Sequence, residues 1–354
     1  MKFPAFPTFR SMKPNALAPY LRNDQARIQS LIFTQQFSRE LIERLVNCAE
    51  KIQSMLADVG GRRRLKESLS DKAVSLYFPQ ASTRTFTSFS FAAQALGMMV
   101  EEIRDTEVSS ITKGESELDS LLTLASISDA IVLRQFDPDL ALLISYELGV
   151  RGMDIKVING GSGSDQHPTQ ALLDIFTLLT HFRQTCSEFG DEEKTVAFVG
   201  DLKRSRTARS LSYLLTLYPK IKQVFVAPEE LQMGEDLCEY LTENSIDYSK
   251  TAGLEELIPE ADAFYMMRIQ DEYSATSEEL RRHYEQYHLT ADKVKQMKET
   301  ACILHPLPRR AEIPIEIDRD HRAKYWDAVR YGKLMRMALL LYMFGREDLS
   351  SQQY

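Results

Sequence analysis

The sequence has few cysteines, no long apolar run and no apolar leader, and each absence excludes a class of protein. Its four cysteines lie far apart in 354 residues, without paired spacing, which argues against a disulfide framework and against a zinc site. The longest apolar run near the C-terminus, residues 335–344, is too short for a membrane span and contains Arg336. Residues 1–13 lack the apolar segment of a signal peptide. We therefore predict a cytoplasmic protein with no metal site and no membrane contact.

The net charge and the glycine pattern exclude two further classes. A net charge of −8 argues against a nucleic-acid partner, because a phosphate backbone needs a clustered positive face. The glycine-rich segment 159–163 lacks the strand-Gly-x-Gly-x-x-Gly-helix order of a dinucleotide site, so we predict no nicotinamide cofactor. What remains is a globular composition, 44% hydrophobic and 27% charged, in a chain long enough for two domains.

One stretch, residues 73–96, predicts a strand, a turn and a helix that together bind an anion. The apolar run 73–78 has the length of a buried strand, and Pro79 ends it. Helical spacing follows, which places the hydroxyls and the arginine of Ser-Thr-Arg-Thr, residues 82–85, in the first turn of a helix. Free backbone N–H groups and the helix dipole favour a phosphate there. The alternative is that a hydroxyl only caps the helix and that Arg84 is a solvated charge.

Other candidate ligand-binding residues follow predicted strands. Strand 130–133 ends on Arg134, and strand 263–266 ends close to Arg268. Because the ligand crevice of an open parallel sheet lies beyond the carboxyl ends of its strands, both arginines are candidates for an anion site. The polar loop 105–117 carries Lys113, which is compatible with a mobile anion-binding arm or with a solvated surface loop.

A further candidate site follows strand 155–158. Pro168 suits the first turn of a helix, which places His167 at its cap and Gln170 in its first turn. Both side chains can then face one ligand. Taken alone, a single histidine such as His167 more often has a structural role than a chemical one.

The alternation of strands and helices predicts an α/β protein with two doubly wound parallel-sheet domains joined by interdomain helices. Residues 1–34 are Pro-rich and without periodicity, and we predict an extension packed loosely on the first domain. The predicted segments are the first domain at 35–166, completed by a C-terminal helix at 330–354, an interdomain helix at 167–182 and the second domain at 183–329.

Seven motifs, taken in order, resemble those of the aspartate/ornithine carbamoyltransferase superfamily over about residues 35–350. They are Ser82-Thr-Arg-Thr85, the Lys113-Gly-Glu loop, Arg134, His167-Pro-Thr-Gln170, Gly200-Asp-Leu-Lys with Arg206-Thr, Arg268-Ile-Gln270 and His305-Pro-Leu-Pro-Arg309. The last two together are similar to the members that use aspartate as acceptor, because the ornithine enzymes differ at both places.

The resemblance implies an enzyme that transfers the carbamoyl group of carbamoyl phosphate to the amine of L-aspartate, in pyrimidine biosynthesis, without a cofactor. It implies a homotrimer whose sites are shared between subunits, and it leaves regulatory or dihydroorotase subunits open as partners. The implied carbamoyl phosphate ligands are Ser82, Thr83, Arg84, Thr85, Ser109, Lys113, Arg134, His167, Gln170, Leu307 and Pro308. Those for aspartate are Lys113, Arg206, Arg268 and Gln270. The implied catalytic residues are Arg84, Thr85, Arg134, His167 and Lys113, with Ser109 and Lys113 reaching in from a neighbouring subunit.

Two positions depart from the family pattern. Gln80 stands where the family usually has a carboxylate, and Tyr273 stands where it usually has an arginine, so the ion pair that these two residues form in the family is missing here. Two other functions remain compatible with the motifs. One is carbamoyl transfer to a different amino-acid acceptor. The other is a catalytically silent scaffold. The presence of every implied ligand-binding residue argues against this alternative.

Overall fold

A computed structural model describes residues 2–104, 115–163, 165–185, 192–269 and 284–349. The chain divides into two compact units, one formed by Met1–Leu172 with Arg330–Tyr354 and the other by Leu173–Val329. Each unit contains a five-stranded sheet whose neighbouring strands all run parallel. The predicted α/β class with two parallel-sheet domains is confirmed.

The first unit has the strand order β1-β5-β4-β2-β3. The strands are β1 (Ser30–Leu31), β2 (Ala73–Tyr77), β3 (Met99–Ile103), β4 (Ala130–Gln135) and β5 (Lys156–Ser162). The helices of its described part are α1 (Phe6–Arg10), α2 (Pro14–Leu17), α3 (Arg39–Ala57), α4 (Val59–Glu67), α5 (Thr83–Ala95), α6 (Glu117–Ala125) and α7 (Leu140–Val150), with short 3-10 turns at Ala18–Leu21 and Thr34–Gln36. Helix α8 (Pro168–Thr185) begins in this unit and ends in the second.

The strand order places a topological switch point between β2 and β4. Tyr77 at the end of β2 pairs with Ile103 on one side and with Leu133 on the other, so the chain leaves β2 for β3 and returns on the opposite side as β4. Open α/β sheets bind ligands beyond the carboxyl ends of the strands at such a point. In this unit residues 78–85, predicted to bind an anion, and Arg134 therefore share one edge of the sheet.

The N-terminal residues are an integral part of the first unit, and the prediction that residues 1–34 pack loosely is wrong. Ser30 pairs with Val157, which makes β1 an edge strand of the sheet. Phe9 is fully buried in the core of the unit, and Gly149 lies so close to the Phe3 ring that a Cβ there would approach it to 2.3 Å. The helices of this segment have only five and four residues, too few to show an apolar period in the sequence.

The second unit has the strand order β10-β9-β6-β7-β8. The strands are β6 (Lys194–Val199), β7 (Ile221–Val226), β8 (Tyr248–Thr251), β9 (Ala263–Met266) and β10 (Cys302–Leu304). The helices of its described part are α9 (Arg206–Leu215), α10 (Glu235–Glu243) and α11 (Ala291–Gln296), with 3-10 turns at Glu229–Leu231, Glu255–Leu257 and Ile315–Arg319. Helix α12 (Tyr325–Met343) begins in this unit and ends in the first.

The second sheet has its switch point between β6 and β9, where the backbones that leave the two strands approach closely. Met267 N–H donates to the Val199 carbonyl at 2.7 Å. Gly200 has φ +117°, and a Cβ at this position would lie 2.3 Å from the Met267 carbonyl oxygen. Only glycine fits there, because the backbone conformation and the close approach both exclude a side chain.

Local sequence signals located many elements but misplaced several boundaries. The sequence predicts Ser38 as the cap of a helix, and in the structure its Oγ accepts from Leu41 N–H at 3.2 Å at the start of α3. The sequence pattern predicts one helix over 229–241, but this segment is a 3-10 turn followed by α10, because Gly234 begins a new helix. The pattern also predicts a helix over 211–217, which in the structure begins earlier, at Arg206. Within the described ranges no helix is both long and apolar enough to cross a membrane.

Candidate active site

The predicted anion-binding turn is the first turn of α5. The helix begins at Thr83, so Arg84 and Thr85 are its second and third residues. The Ser82 backbone is extended, and its side chain makes no capping hydrogen bond to the helix. The first-turn N–H groups of a helix have no partner within the helix itself. This turn therefore presents hydroxyls, amide donors and one guanidinium from consecutive residues.

The electrostatics of this turn favour an anion. The Arg84 side chain is exposed, yet desolvation by the surrounding protein lowers the pKa of its guanidinium. A partly desolvated cation is stabilised by a nearby anion, and a guanidinium can bind a phosphate with two parallel hydrogen bonds. Thr83 is also exposed, whereas Thr85 is only 5% exposed.

Arg134 lies across the switch point from this turn. It is half-buried within β4, and its Nη1 donates to the Gly160 carbonyl at 3.1 Å. The backbone N–H of Gln80 donates to the Arg134 carbonyl at 3.4 Å. The loop before α5 is thus joined to the strand that carries Arg134, as expected for residues on neighbouring strands.

His167 precedes α8 and contacts the same turn of α5. Its Nε2 lies 3.2 Å from Thr85 Oγ1, and its Nδ1 lies 3.4 Å from Thr169 Oγ1. His167 is only 3% exposed. Gln170 N–H donates to the His167 carbonyl at 2.9 Å, and the Gln170 side chain is half-buried. The first unit thus brings Thr85 and His167 together, with Gln170 one helical turn away.

The second unit carries two of the predicted aspartate ligands at its own switch point. Arg206 is the first residue of α9, capped by Ser205, whose Oγ accepts from Ala208 N–H at 3.2 Å. Burial lowers the pKa of Arg206 to about 10. Arg268 is half-buried and follows β9, the neighbour of the strand that leads to Arg206. Two arginines therefore follow adjacent strands of one sheet.

The predicted residues Leu307 and Pro308 follow β10, also in the second unit. Leu307 has φ +58° and a cis peptide bond to Pro308. Leu307 is half-buried and Pro308 is exposed. Sequence reasoning gave no role to His305 and missed Glu312, although these two buried side chains contact each other. They lie seven residues apart, and no periodic signal links them.

Three predicted ligands lie outside the described residues. They are Ser109, Lys113 and Gln270. Tyr273, one of the two departures from the family pattern, also lies outside them.

Both halves of the chain match one protein family. Residues 29–180 match the aspartate/ornithine carbamoyltransferase carbamoyl-P binding domain, and residues 192–343 match the Asp/Orn binding domain of the same family. The chain is 39% identical over 311 residues to the aspartate carbamoyltransferase catalytic subunit of Chromobacterium violaceum, covering 88% of this chain and 96% of that protein. It is 35% identical over 319 residues to the multifunctional protein CAD of Squalus acanthias, covering 90% of this chain but 13% of that protein.

A solved structure supports the same relationship. It is aspartate transcarbamoylase from Trypanosoma cruzi in complex with N-(phosphonacetyl)-L-aspartic acid, at a TM-score of 0.78 and 32% identity. The match covers 90% of this chain and 97% of that one.

Proposed function

This chain belongs to the aspartate/ornithine carbamoyltransferase family, and on that premise we propose how its residues transfer the carbamoyl group of carbamoyl phosphate to the amine of L-aspartate. The products are N-carbamoyl-L-aspartate and phosphate. The observation that carries the proposal is the contact of Thr85 with His167 beside Arg84, at the switch point that Arg134 also occupies. We assign the phosphate group of carbamoyl phosphate to residues of the first unit and the carboxylates of aspartate to residues of the second.

The phosphate group binds at the first turn of α5. Its backbone N–H groups and dipole favour the anion, and Ser82, Thr83 and Thr85 add hydroxyl donors. Arg84 supplies a bidentate fork, which binds phosphate more specifically than a lysine point charge. The lowered pKa of the Arg84 guanidinium supports this assignment, because an anion offsets its desolvation.

The carbonyl oxygen of carbamoyl phosphate accepts hydrogen bonds from Thr85, Arg134 and His167. When the aspartate amine attacks the carbonyl carbon, this oxygen becomes negatively charged and the three bonds strengthen. The C–O bond to phosphate then breaks as the carbonyl re-forms, and the leaving phosphate takes the proton that the attacking nitrogen loses. A donor of this kind contributes about 3 to 4 kcal/mol to transition-state stabilisation. No covalent nucleophile is needed, since orienting two bound reactants provides about 7 to 11 kcal/mol by itself.

The carboxylates of aspartate bind Arg206 and Arg268. Both arginines follow strands at the switch point of the second sheet. Burial lowers the pKa of Arg206 to about 10, and an anion bound beside it would favour its charged form. Lys113 and Gln270 complete this site by resemblance. Local cations must attract both anionic substrates against a net charge of −8.

The carbamoyl amide of carbamoyl phosphate is assigned to other residues. Gln170 and the carbonyls of Leu307 and Pro308 bind it.

Phosphate release from carbamoyl phosphate, measured with and without L-aspartate, tests the activity. We expect release that depends on L-aspartate and stays near the spontaneous rate with L-ornithine. Faster release with another amino acid would support a different acceptor. Release at the spontaneous rate with every acceptor would support a silent scaffold.

We further propose a homotrimer in which Ser109 and Lys113 complete the site of a neighbouring subunit. Light scattering should give three times the mass of one chain, and a monomer would contradict this assembly. We also propose that the protein is cytoplasmic and that it has regulatory or dihydroorotase partners. The similarity to one part of the multifunctional protein CAD supports linked partner domains as an arrangement within the family.

A further inference from the structure

His305, at the end of β10, is held in one protonation state by two opposite contacts. Its Nδ1 lies 2.7 Å from the backbone nitrogen of Leu307, and its Nε2 lies 2.9 Å from Glu312 Oε1. A backbone N–H can only donate, so Nδ1 is the acceptor. The proton is therefore on Nε2, which donates to the carboxylate. Protonation of Nδ1 would place two donors against each other.

Glu312 is a fixed anchor for this histidine. It is 5% exposed, and the same Oε1 atom accepts from Arg310 N–H at 2.8 Å. Burial acts to raise the pKa of this carboxyl, but hydrogen bonds from His305 and from backbone N–H groups, together with the electrostatic attraction of His305, leave it lower than usual. The carboxylate is thus ionised at neutral pH, and it selects the Nε2–H tautomer of His305.

The second contact of His305 acts on the backbone of Leu307. With φ +58°, Leu307 occupies the left-handed region, which a leucine rarely adopts because Cβ crowds the following carbonyl oxygen. Such a conformation persists where surrounding contacts determine it. The hydrogen bond from Leu307 N–H to His305 is one such contact, and it orients the carbonyl groups that follow.

We propose that His305 and Glu312 are positioning residues for the reaction. Glu312 holds the His305 ring, and the ring holds the Leu307 backbone, so that the Leu307 and Pro308 carbonyls point where they accept hydrogen bonds from the carbamoyl amide. This inference rests on the proposed function. It predicts selectivity for ligands that carry an amide, because His305 and Glu312 belong to the second unit, whereas the turn of α5 proposed to bind phosphate belongs to the first.

Two substitutions of the same histidine test the proposal. His305→Ala removes the contacts with Leu307 and Glu312. His305→Asn keeps a side-chain oxygen that can accept from the Leu307 N–H, as in an Asx turn. The readouts are the KM for carbamoyl phosphate and the inhibition constant of inorganic phosphate, which has no amide. We expect His305→Ala to raise the KM about tenfold, the loss from one misaligned hydrogen bond. The phosphate constant should stay unchanged, and His305→Asn should recover most of the lost affinity.

Three outcomes would overturn the positioning role. They are equal weakening of phosphate and carbamoyl phosphate, an unchanged KM in His305→Ala, and failure of His305→Asn to improve on His305→Ala. Thermal unfolding checks each variant, with the exposed His321→Ala as a matched control. If His305→Ala does not fold, Glu312→Ala is measured in the same way and should raise the KM selectively but less. An inactive wild type would contradict the proposed function instead, so the two failures are distinguishable.

Discussion

Thr85 Oγ1 lies 3.2 Å from His167 Nε2, although the two residues are 82 positions apart in the chain. One belongs to the first turn of α5 and the other directly precedes α8. Both are almost fully buried, so their side chains have little freedom to reorient. The hydrogen bond between them fixes the positions of both side chains, but it uses one of their protons, so binding of carbamoyl phosphate has to redirect that proton towards the carbonyl oxygen before both can act as donors.

Replacement of Arg84 or Arg134 by alanine should lower kcat severely while the fold remains intact. Each change leaves a phosphate or oxyanion charge without its donor, which lowers kcat by about a hundredfold to a thousandfold. Phosphate release and thermal unfolding are measured together. Arg63→Ala is the matched control, because Arg63 is an exposed arginine that pairs with Glu67 on a helix surface of the same unit. Near-normal turnover of either site variant would refute the assignment.

Replacement of Arg206 should act mainly on aspartate. Arg206→Ala leaves a substrate carboxylate unpaired, and we expect the KM for aspartate to rise by roughly 10- to 100-fold with a smaller change for carbamoyl phosphate. Arg206→Lys keeps the charge but loses the planar fork, so it should restore activity only in part. The exposed Arg319→Ala serves as control. An equal rise in KM for both substrates would argue against an aspartate site here.

Hybrid trimers test the proposed sharing of sites between subunits. Chains with Lys113→Ala and chains with Arg134→Ala should each be inactive. After dissociation and reassembly of a mixture, some sites would combine an intact Lys113 with an intact Arg134 from the neighbouring chain. We expect measurable phosphate release from the mixture and none from either variant treated alone. A mixture that stays inactive after verified reassembly would contradict the shared site.

Gly200→Ala should destabilise the second unit and disturb the aspartate site. The new Cβ would meet the Met267 carbonyl oxygen at 2.3 Å, next to Arg268, and would require φ +117°. Conformations of this kind cost about 1 to 3 kcal/mol for a non-glycine residue. The matched control is Gly253→Ala, whose new Cβ meets only Thr251 Oγ1 at 3.6 Å. Denaturant unfolding measures the difference, and equal stability of the two variants would contradict the close approach.

The place of several candidate site residues within the fold could be predicted from the sequence. The family, the α/β class and carbamoyl transfer to aspartate are confirmed, whereas the role of each site residue stays a prediction. The described structure puts the predicted hydroxyls and Arg84 in the first turn of α5 and Arg206 at the start of α9. Helical spacing predicted the first of these placements, whereas Arg206 was assigned only through the resemblance of its motif to the family.

Local signals in the sequence determined where strands end and where helices begin. Pro79, Ser38 and Pro168 act on the backbone within a few residues of their own positions, so they can be interpreted without knowledge of the rest of the chain. The short reach of these signals also explains the misplaced boundaries. Gly234, for example, divides a segment whose apolar pattern is continuous in the sequence.

Only the tertiary structure decided which of these local elements meet. Strand order brings Arg134 beside the loop that contains Gln80, and it places the N-terminal residues 30–31 at the edge of the first sheet. It also brings His305 into contact with Glu312, which no sequence motif predicts. Strand pairing and burial join residues far apart in the chain, and the entropy of closing a loop depends only weakly on its length. The sequence pattern alone therefore leaves many pairings open, and the packing of the whole unit selects among them.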